Sequence, residues 1–448
     1  MQVRLNKKFK LNAVQVLVIG FAIVILTGAL LLTLPISSAD GTPTSFIDSL
    51  FTSTSATCIT GLITLDTATH WSTFGKVVII TLIQVGGLGF MAFTTLFALI
   101  LGKKITLKQR LIMQEAMNTF SIQGLVSMMR YILIFTFSVE FIGAMLLSTQ
   151  FIPMFGVSKG IAFSFFHSIS AFCNAGFDLM GNFSSLTGVY DNSVIILTIG
   201  SLIIVGGIGF SVWVDIYKNK DLKKLSLHSK LVLSMTAILI VGGAILMFIF
   251  EFNNPNTMGP MGAKDKILSS VFAAVTPRTA GFNSISTSDM TLAGRSLTII
   301  LMFVGASPGS TGGGIKTSTA GILLMTVICV IRGREDTEIF KKRINKDLVY
   351  KAFTIVTLSL GIVIGVTMIL SITEVGASLE YLIYEVVSAF GTVGLTLGLT
   401  PNLTTIGKVM VALTMYCGRV GPMTLFLALT NRKKNKGIRY PEDKILVG

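Results

Sequence analysis

The chain has 448 residues, of which 52% are hydrophobic and only 13% charged, and its mean hydropathy is +0.78. Soluble domains carry roughly 25% charged residues, so this composition excludes an ordinary soluble enzyme or binding module and points to an integral membrane protein. The formal net charge of +15 suggests nucleic acid only until it is placed along the chain: 27 of the 36 Lys and Arg fall in five stretches, 4–10, 103–130, 218–230, 332–351 and 432–444.

The positive-inside rule assigns those five stretches to the cytoplasm, with both termini on that side and no nucleic acid implied. The intervening polar loops are then outside. They carry Lys76, Lys159, Lys264, Lys266, Arg295 and Lys408 against ten acids, including Asp66, Asp178 and Asp289. A net negative outer face concentrates cations by electrostatic focusing.

In chain order, Arg4, Lys7, Lys8 and Lys10 precede an uncharged run at 11–39, too long for a signal-peptide core and read as the first spanning helix. A shorter half-polar segment at 44–56 follows, then T-S-A-T-C-I-T-G-L-I at 54–63. A second uncharged run at 77–102 contains Q-V-G-G-L-G-F at 84–90. This layout returns three times. The half-polar segments are 161–172, 264–275 and 378–390. The glycine stretches are S-A-F-C-N-A-G-F at 170–177, V-T-P-R-T-A-G-F at 275–282 and S-A-F-G-T-V-G-L at 388–395. The later clusters are I-V-G-G-I-G-F at 204–210, F-V-G-A-S-P-G-S-T-G-G-G at 303–314 and Y-C-G-R-V-G-P at 416–422. Gly61, Gly176, Gly281 and Gly394 mark the register, at spacings of 115, 105 and 113 residues.

The expected fold is therefore an all-α integral membrane protein. Four parallel repeats, each a spanning helix M1, a pore helix and a second spanning helix M2, surround one central pore in pseudo-fourfold arrangement. Their expected bounds are 11–101, 125–217, 227–332 with a broken M2 helix, and 347–431, with a cytoplasmic tail at 432–448. Four Cys show no pairing pattern, three His show no zinc spacing, and Cys58 and Cys173 are read as small packing residues. Segments of about 12 residues are too short to cross a ~30 Å core and suit re-entrant helices. Non-helical backbone at that depth must be buried in protein or line a wet cavity. Four glycine turns on one axis would present rings of carbonyls able to replace the hydration shell of a monovalent cation. The competing reading is that the glycines only let helices pack closely.

Two further features stand out. The run G-A-S-P-G-S-T-G-G-G at 305–314, followed by I-K-T, nearly matches a phosphate-binding loop, but the inserted Ile315 and the apolar flanks spoil it. Arg419 lies in an otherwise uncharged segment, where a charge costs at least ~2.5–3.5 kcal/mol and marks a functional candidate. Lys316 joins it or snorkels to cytoplasmic water. Arg278 is expected to hold backbone carbonyls or Glu385, and Glu140 to pack against a polar partner.

The sequence resembles the Trk/Ktr/HKT superfamily, most of all its Ktr-type potassium uptake membrane subunits, over essentially the whole chain. The resemblance rests on S-A-T-C-I-T-G-L, T-P-R-T-A-G-F-N-S, S-A-F-G-T-V-G-L-T-L-G-L-T-P, the two G-G-[LI]-G-F clusters and C-G-R-V-G-P. It implies filter glycines at Gly61, Gly176, Gly281 and Gly394. It implies ion-coordinating carbonyls at Ile59, Thr60, Asn174, Ala175, Thr279, Ala280, Thr392 and Val393, with K+ as the transported ion. Glycine rather than serine at Gly61 implies potassium over sodium. The resemblance makes the run containing Gly305, Gly309, Gly312, Gly313 and Gly314, with Lys316 and Arg419, an intramembrane gate below the filter. It further implies a homodimer in the bacterial cell membrane, a cytosolic RCK-type regulatory ring binding ATP or ADP, sodium dependence as a family trait, and no bound organic cofactor in this chain. The alternatives weighed are a cation-coupled secondary transporter with alternating access and a membrane enzyme built on the 309–317 glycine run.

Overall fold

The computed structural model describes residues 13–89, 125–429 and 441. The basic stretch 4–10, residues 103–124 of the second basic stretch and the tail 432–448, apart from residue 441, lie outside the described residues. So do residues 90–101 of the first expected repeat, including Phe90 of its glycine cluster.

The first repeat comprises α1 (Ala13–Thr33), α2 (Phe46–Thr57) and α3 (Thr73–Leu88). The second comprises α4 (Leu125–Phe155), α5 (Val157–Phe172), α6 (Ser193–Ile208) and α7 (Phe210–Asn219). The third comprises α8 (Leu227–Glu251), α9 (Ala263–Val275), α10 (Leu292–Phe303) and α11 (Thr317–Ile331). A two-residue hairpin of β1 (Glu338–Ile339) and β2 (Lys342–Arg343) leads into the fourth, α12 (Lys346–Thr373), α13 (Leu379–Gly391), α14 (Thr405–Val420) and α15 (Pro422–Leu429).

The first helix of each repeat is long and apolar enough to cross a membrane. These helices turn residues such as Ile23, Phe141, Ile249 and Ile372 outward, as a lipid-facing surface requires. The short helices α2, α5, α9 and α13 are different. A 12-residue helix such as α2 is ~18 Å long, about half the hydrocarbon thickness. Its last two turns are Ser, Thr and Ala side chains, all buried. These helices stop at mid-depth with their C-terminal ends inward.

Closure around one axis follows from a repeated contact. Each outgoing helix packs on the short helix of the next repeat: α3 on α5, α6 on α9, α10 on α13, and α14 back on α2. The last contact joins the ends of the ring. Glycines set the depth of seating within the first, second and fourth repeats. A Cβ on Gly86, Gly206 or Gly418 would run into the carbonyl of Thr57, Phe172 or Phe390 respectively, the penultimate or last residues of the short helices. This is the packing reading of the second glycine cluster, and only glycine meets it.

A second repeated device ties the outer end of each hairpin. The residue capping the outgoing helix bonds to the top of the incoming one. Ser72 donates its N–H to the Ser37 carbonyl (2.9 Å). Asn192 donates Nδ2 to Gln150 Oε1 (3.0 Å). Thr291 donates N–H and Oγ1 to Glu251 (2.8 and 2.7 Å). Thr404 donates the same pair to Glu374 (3.1 and 2.6 Å). In repeats three and four a buried carboxylate thus sits at a helix N-terminus, where the peptide dipoles favour negative charge. Gly294 and Gly407, one turn in, leave room for it: a Cβ at either would collide with the carboxylate oxygen.

The structure differs from expectation in the outgoing helices. Only the third was expected to break, yet the second and fourth also turn sharply. α6 and α7 meet at 89°, and α14 and α15 at 94°. The corners are Gly209 (φ 102°) and Gly421 (φ 91°), and α3 ends at the equivalent Gly89 (φ 82°). Such φ values are open to glycine and costly for other residues. Hydropathy alone does not reveal these corners, although Pro422, directly after Gly421, suits the first residue of a new helix.

The outer ties generate a graded prediction. Thr291→Val removes one cap and costs about 1 kcal/mol. Gly294→Ala pushes the Glu251 Oε1 off both its Thr291 donors and costs more, about 2–3 kcal/mol. Thermal unfolding of the detergent-solubilised protein should rank wild type, Thr291→Val and Gly294→Ala in falling order.

Candidate functional site

The four glycine turns converge at the centre of the ring. Each follows a short helix and alternates backbone handedness. Ile59, Asn174, Thr279 and Thr392 have φ of 54°, 58°, 64° and 50°; Gly61, Gly176, Gly281 and Gly394, two residues on, have φ of 88°, 70°, 84° and 96°. The residues between, Thr60, Ala175, Ala280 and Val393, are not left-handed. A left-handed non-glycine residue costs roughly 1–2 kcal/mol, and a β-branched one such as Ile59 is a genuine outlier. Four such residues at matching positions mean that the surroundings impose this backbone. Alternating handedness turns successive carbonyls toward one side of the strand instead of opposite sides.

The turns touch in cyclic order. A Cβ on Gly61 would lie 2.6 Å from the Ala175 carbonyl oxygen, and one on Gly176 would lie 2.5 Å from that of Ala280. A Cβ on Gly281 would strike the Val393 oxygen, and one on Gly394 the Thr60 oxygen. Any side chain at these four positions would fill the axis.

The amides of the turns point away from the axis. Thr60, Ala175 and Val393 donate N–H to the carbonyls of Ser55, Ser170 and Ser388 (2.8, 2.8 and 2.9 Å), and Ala280 donates to Thr276 (3.0 Å). Hydroxyls on the short helices complete the brace. Ser55 and Ser388 accept from the N–H of Gly61 and Gly394 (3.0 and 3.1 Å). Ser170 donates to the Phe177 carbonyl at 2.7 Å, and Thr276 to that of Phe282. The carbonyls fare differently. Among the described residues no group donates to the carbonyls of Ile59, Thr60, Asn174, Ala175, Thr279, Ala280, Thr392 or Val393. A buried carbonyl left without a partner costs about 1–3 kcal/mol. Eight of them in four matching turns, at the negative ends of four helix dipoles, have lone pairs free to accept a cation stripped of its water.

Beneath this ring, residues 304–316 break the helix between α10 and α11. The loop is held by three of the other parts of the ring. Thr311 and Ser307 donate N–H to the carbonyls of Gly206 and Gly207 (3.3 and 3.1 Å), and Phe210 donates to Gly309 (2.8 Å). Gly314 donates to the Gly418 carbonyl (3.3 Å). Arg419 donates to the carbonyls of Thr311 and Gly86, and at 3.5 Å to Gly87, so it joins the loop to the first repeat. Lys316 folds back onto its own loop, Nζ to the Gly312 carbonyl at 2.7 Å, and does not snorkel. Gly305, Gly312 and Gly313 are buried, with Gly309 and Gly314 left-handed at φ 64° and 65°. Among the described residues neither cation has a carboxylate partner; backbone carbonyls accept from both.

Two expectations resolve differently. Arg278 does not reach Glu385: its Nη2 bonds Thr236 Oγ1 (3.3 Å) on α8, while Glu385 accepts from Thr396 (2.7 Å) and Thr400 (2.5 Å). A tie from Glu385 to its own outer loop is local, whereas Arg278 projects toward the helix behind its turn. Glu140 packs against Gln84 of the first glycine cluster (Nε2 to both carboxylate oxygens, 3.0 and 3.2 Å), with Cys173 Sγ at 3.8 Å. Sequence reasoning left out the bracing hydroxyls. Their only signal is a serine six residues before the glycine in three of the four copies.

The family model described as TrkH, cation transport protein, matches residues 6–436 of this chain. Over 453 residues the chain is 46% identical to the potassium/sodium uptake protein NtpJ of Enterococcus hirae, covering all of this chain and 99% of that protein. It is 45% identical to the Ktr system potassium uptake protein B of Bacillus subtilis, covering 97% and 96%. The crystal structure of the potassium transporter TrkH from Vibrio parahaemolyticus matches with a TM-score of 0.73, over 95% of this chain and 87% of that one; at 17% identity this likeness concerns the fold.

The braces are testable on their own. Ser388→Ala strips the Gly394 amide of its acceptor and should cost about 1 kcal/mol, seen as a lower unfolding midpoint in detergent; Ser388→Thr should keep it near wild type.

Proposed function

Because this chain belongs to the TrkH family of cation transport proteins, we propose that it is the ion-translocating membrane subunit of a potassium uptake system. The observation that carries the reading is the set of eight donor-free carbonyls around four glycines. Peptide oxygens there stand in for the hydration shell of K+. Selectivity rests on Ile59, Thr60, Gly61 and their counterparts in the other three turns. The loop 305–314, with Lys316 and Arg419, obstructs the path below and moves when the pore opens. A fixed positive charge on the path opposes cation passage, so conduction requires Lys316 to leave with the loop and Arg419 to be neutralised or displaced.

The name Ktr system given to the Bacillus relative supports a second component. In this reading the chain is half of a homodimer on a nucleotide-binding cytosolic ring, and the basic stretches 218–230 and 332–351 meet that ring and anionic lipid. The potassium/sodium name of the Enterococcus relative supports a role for sodium, which ion-replacement assays test.

Expression in potassium-starved cells lacking their own uptake systems should restore rubidium uptake; no uptake in cells that insert the protein would refute the assignment. Gly61→Ser places a side chain against the Ala175 oxygen. It should lower the preference for potassium over sodium by about tenfold, equivalent to ~1.4 kcal/mol between the two ions. Unchanged selectivity would remove Gly61 from the filter. Shortening 309–314 should raise flux through the purified full chain in liposomes, and a folded but silent protein would count against the gate.

A further inference from the structure

Two residues of the turns reach the loop through their side chains. Asn174 Oδ1 accepts from Thr311 Oγ1 at 3.1 Å, and Asn174 Nδ2 donates to the Arg278 carbonyl of the third turn at 3.3 Å. Thr392 Oγ1 accepts from the Gly313 N–H at 3.1 Å. All four partners are buried. Asn174 belongs to the second repeat and Thr392 to the fourth, so the two bonds hold the loop from opposite sides of the axis. The loop fits tightly between them: a Cβ on Gly312 would collide with the Thr279 hydroxyl, and one on Gly313 with that of Thr392.

Resting on the gate reading above, we infer that Asn174 and Thr392 are positioning residues that latch the loop shut from the turns themselves. Both bonds connect residues that must separate if the loop moves. Both lie where no water competes, so each holds more firmly than its surface equivalent. The same two residues carry left-handed φ and two of the donor-free carbonyls. Loss of the loop therefore removes side-chain anchors from two of the four strands at once. In this arrangement the strands register whether the loop is in place, and occupancy of the carbonyls by an ion bears on the latch in return, since linkage is reciprocal.

The test uses rubidium flux into liposomes containing the full chain. Thr311→Val keeps shape and removes the donor; Thr392→Val keeps shape and removes the acceptor. Each should raise basal flux about fivefold, the scale of one net hydrogen bond, while Thr311→Ser, which keeps the donor, should behave as wild type. In a chain shortened at 309–314, which lacks both loop partners, Thr392→Val should add nothing. If the shortened chain conducts freely while both valine variants match wild type, the latch is wrong and the gate stands. If Thr392→Val raises flux equally in the shortened chain, it acts on the turn and not through the loop, and the latch is again wrong. If the shortened chain is itself no more active, the gate reading falls and the latch with it.

Discussion

Eight buried peptide carbonyls that find no donor among the described residues are the constraint to which the rest of the structure answers. At membrane depth non-helical backbone is tolerated only where it is buried in protein or lines a water-filled cavity. Holding them there requires a backbone that no regular element supplies, with left-handed residues at every second position. The strain of four left-handed non-glycine residues, roughly 1–2 kcal/mol each, must be opposed by contacts elsewhere. The braces from Ser55, Ser170, Thr276 and Ser388 act directly on the turns. The glycines at 86, 206 and 418 let each outgoing helix press against the end of its short helix. The capping ties at the outer surface fix the hairpins that carry both.

The ring is fourfold in backbone and deliberately unequal in side chains. At the first left-handed position three copies carry a polar residue, Asn174, Thr279 and Thr392, and the fourth carries Ile59. The loop approaches the three polar positions: it bonds two of them and packs against the third. The first repeat instead meets the loop through carbonyls, by way of Arg419 to Gly86. One guanidinium therefore substitutes for the missing polar side chain and bridges two repeats to the loop. Its charge is balanced by carbonyl dipoles and not by a carboxylate. An acid there would have drawn cations to the underside of the ring and held them. Dipoles stabilise the arginine without creating a competing cation site.

Much of this was legible in the residues. Charge-free runs of 20 or more residues located three of the four first helices, the exception being α4, which carries Arg130 and Glu140; short half-polar segments located α2, α5, α9 and α13, three of which began within about two residues of the expected position, the exception being α5, which starts at Val157. Matching glycines fixed the register because only one residue type fits the axis. Other features left no readable pattern. The corner at Gly209 lies inside continuous apolar sequence, and hydropathy measures transfer to lipid, not direction; at Gly421 only the following Pro422 hints at a new helix start. The partner of Arg278 depended on which way a long side chain turns from a tight bend, and local spacing does not encode that. The Glu251 and Glu374 ties join residues 40 and 30 positions apart, and nothing in either segment names the other.

The loop's composition follows from the same physics. A helix through 305–314 would satisfy its own amides and would have no reason to stay near the turns. Glycine, serine and threonine have weak helix propensity, so the segment leaves its amides and carbonyls to be satisfied by neighbours: Gly206, Gly207, Phe210, Gly418, Thr392 and Arg419 supply them. None of these bonds is an ion pair, and no single one is strong. A loop held by several modest bonds, directly to the second and fourth repeats and through Arg419 to the first, can be released by a small relative shift of those repeats. A plug held by one buried salt bridge would resist release until that pair broke, at a cost of several kcal/mol. The many-bonded loop is thus ordered by its neighbours together, and no single bond fixes it in place.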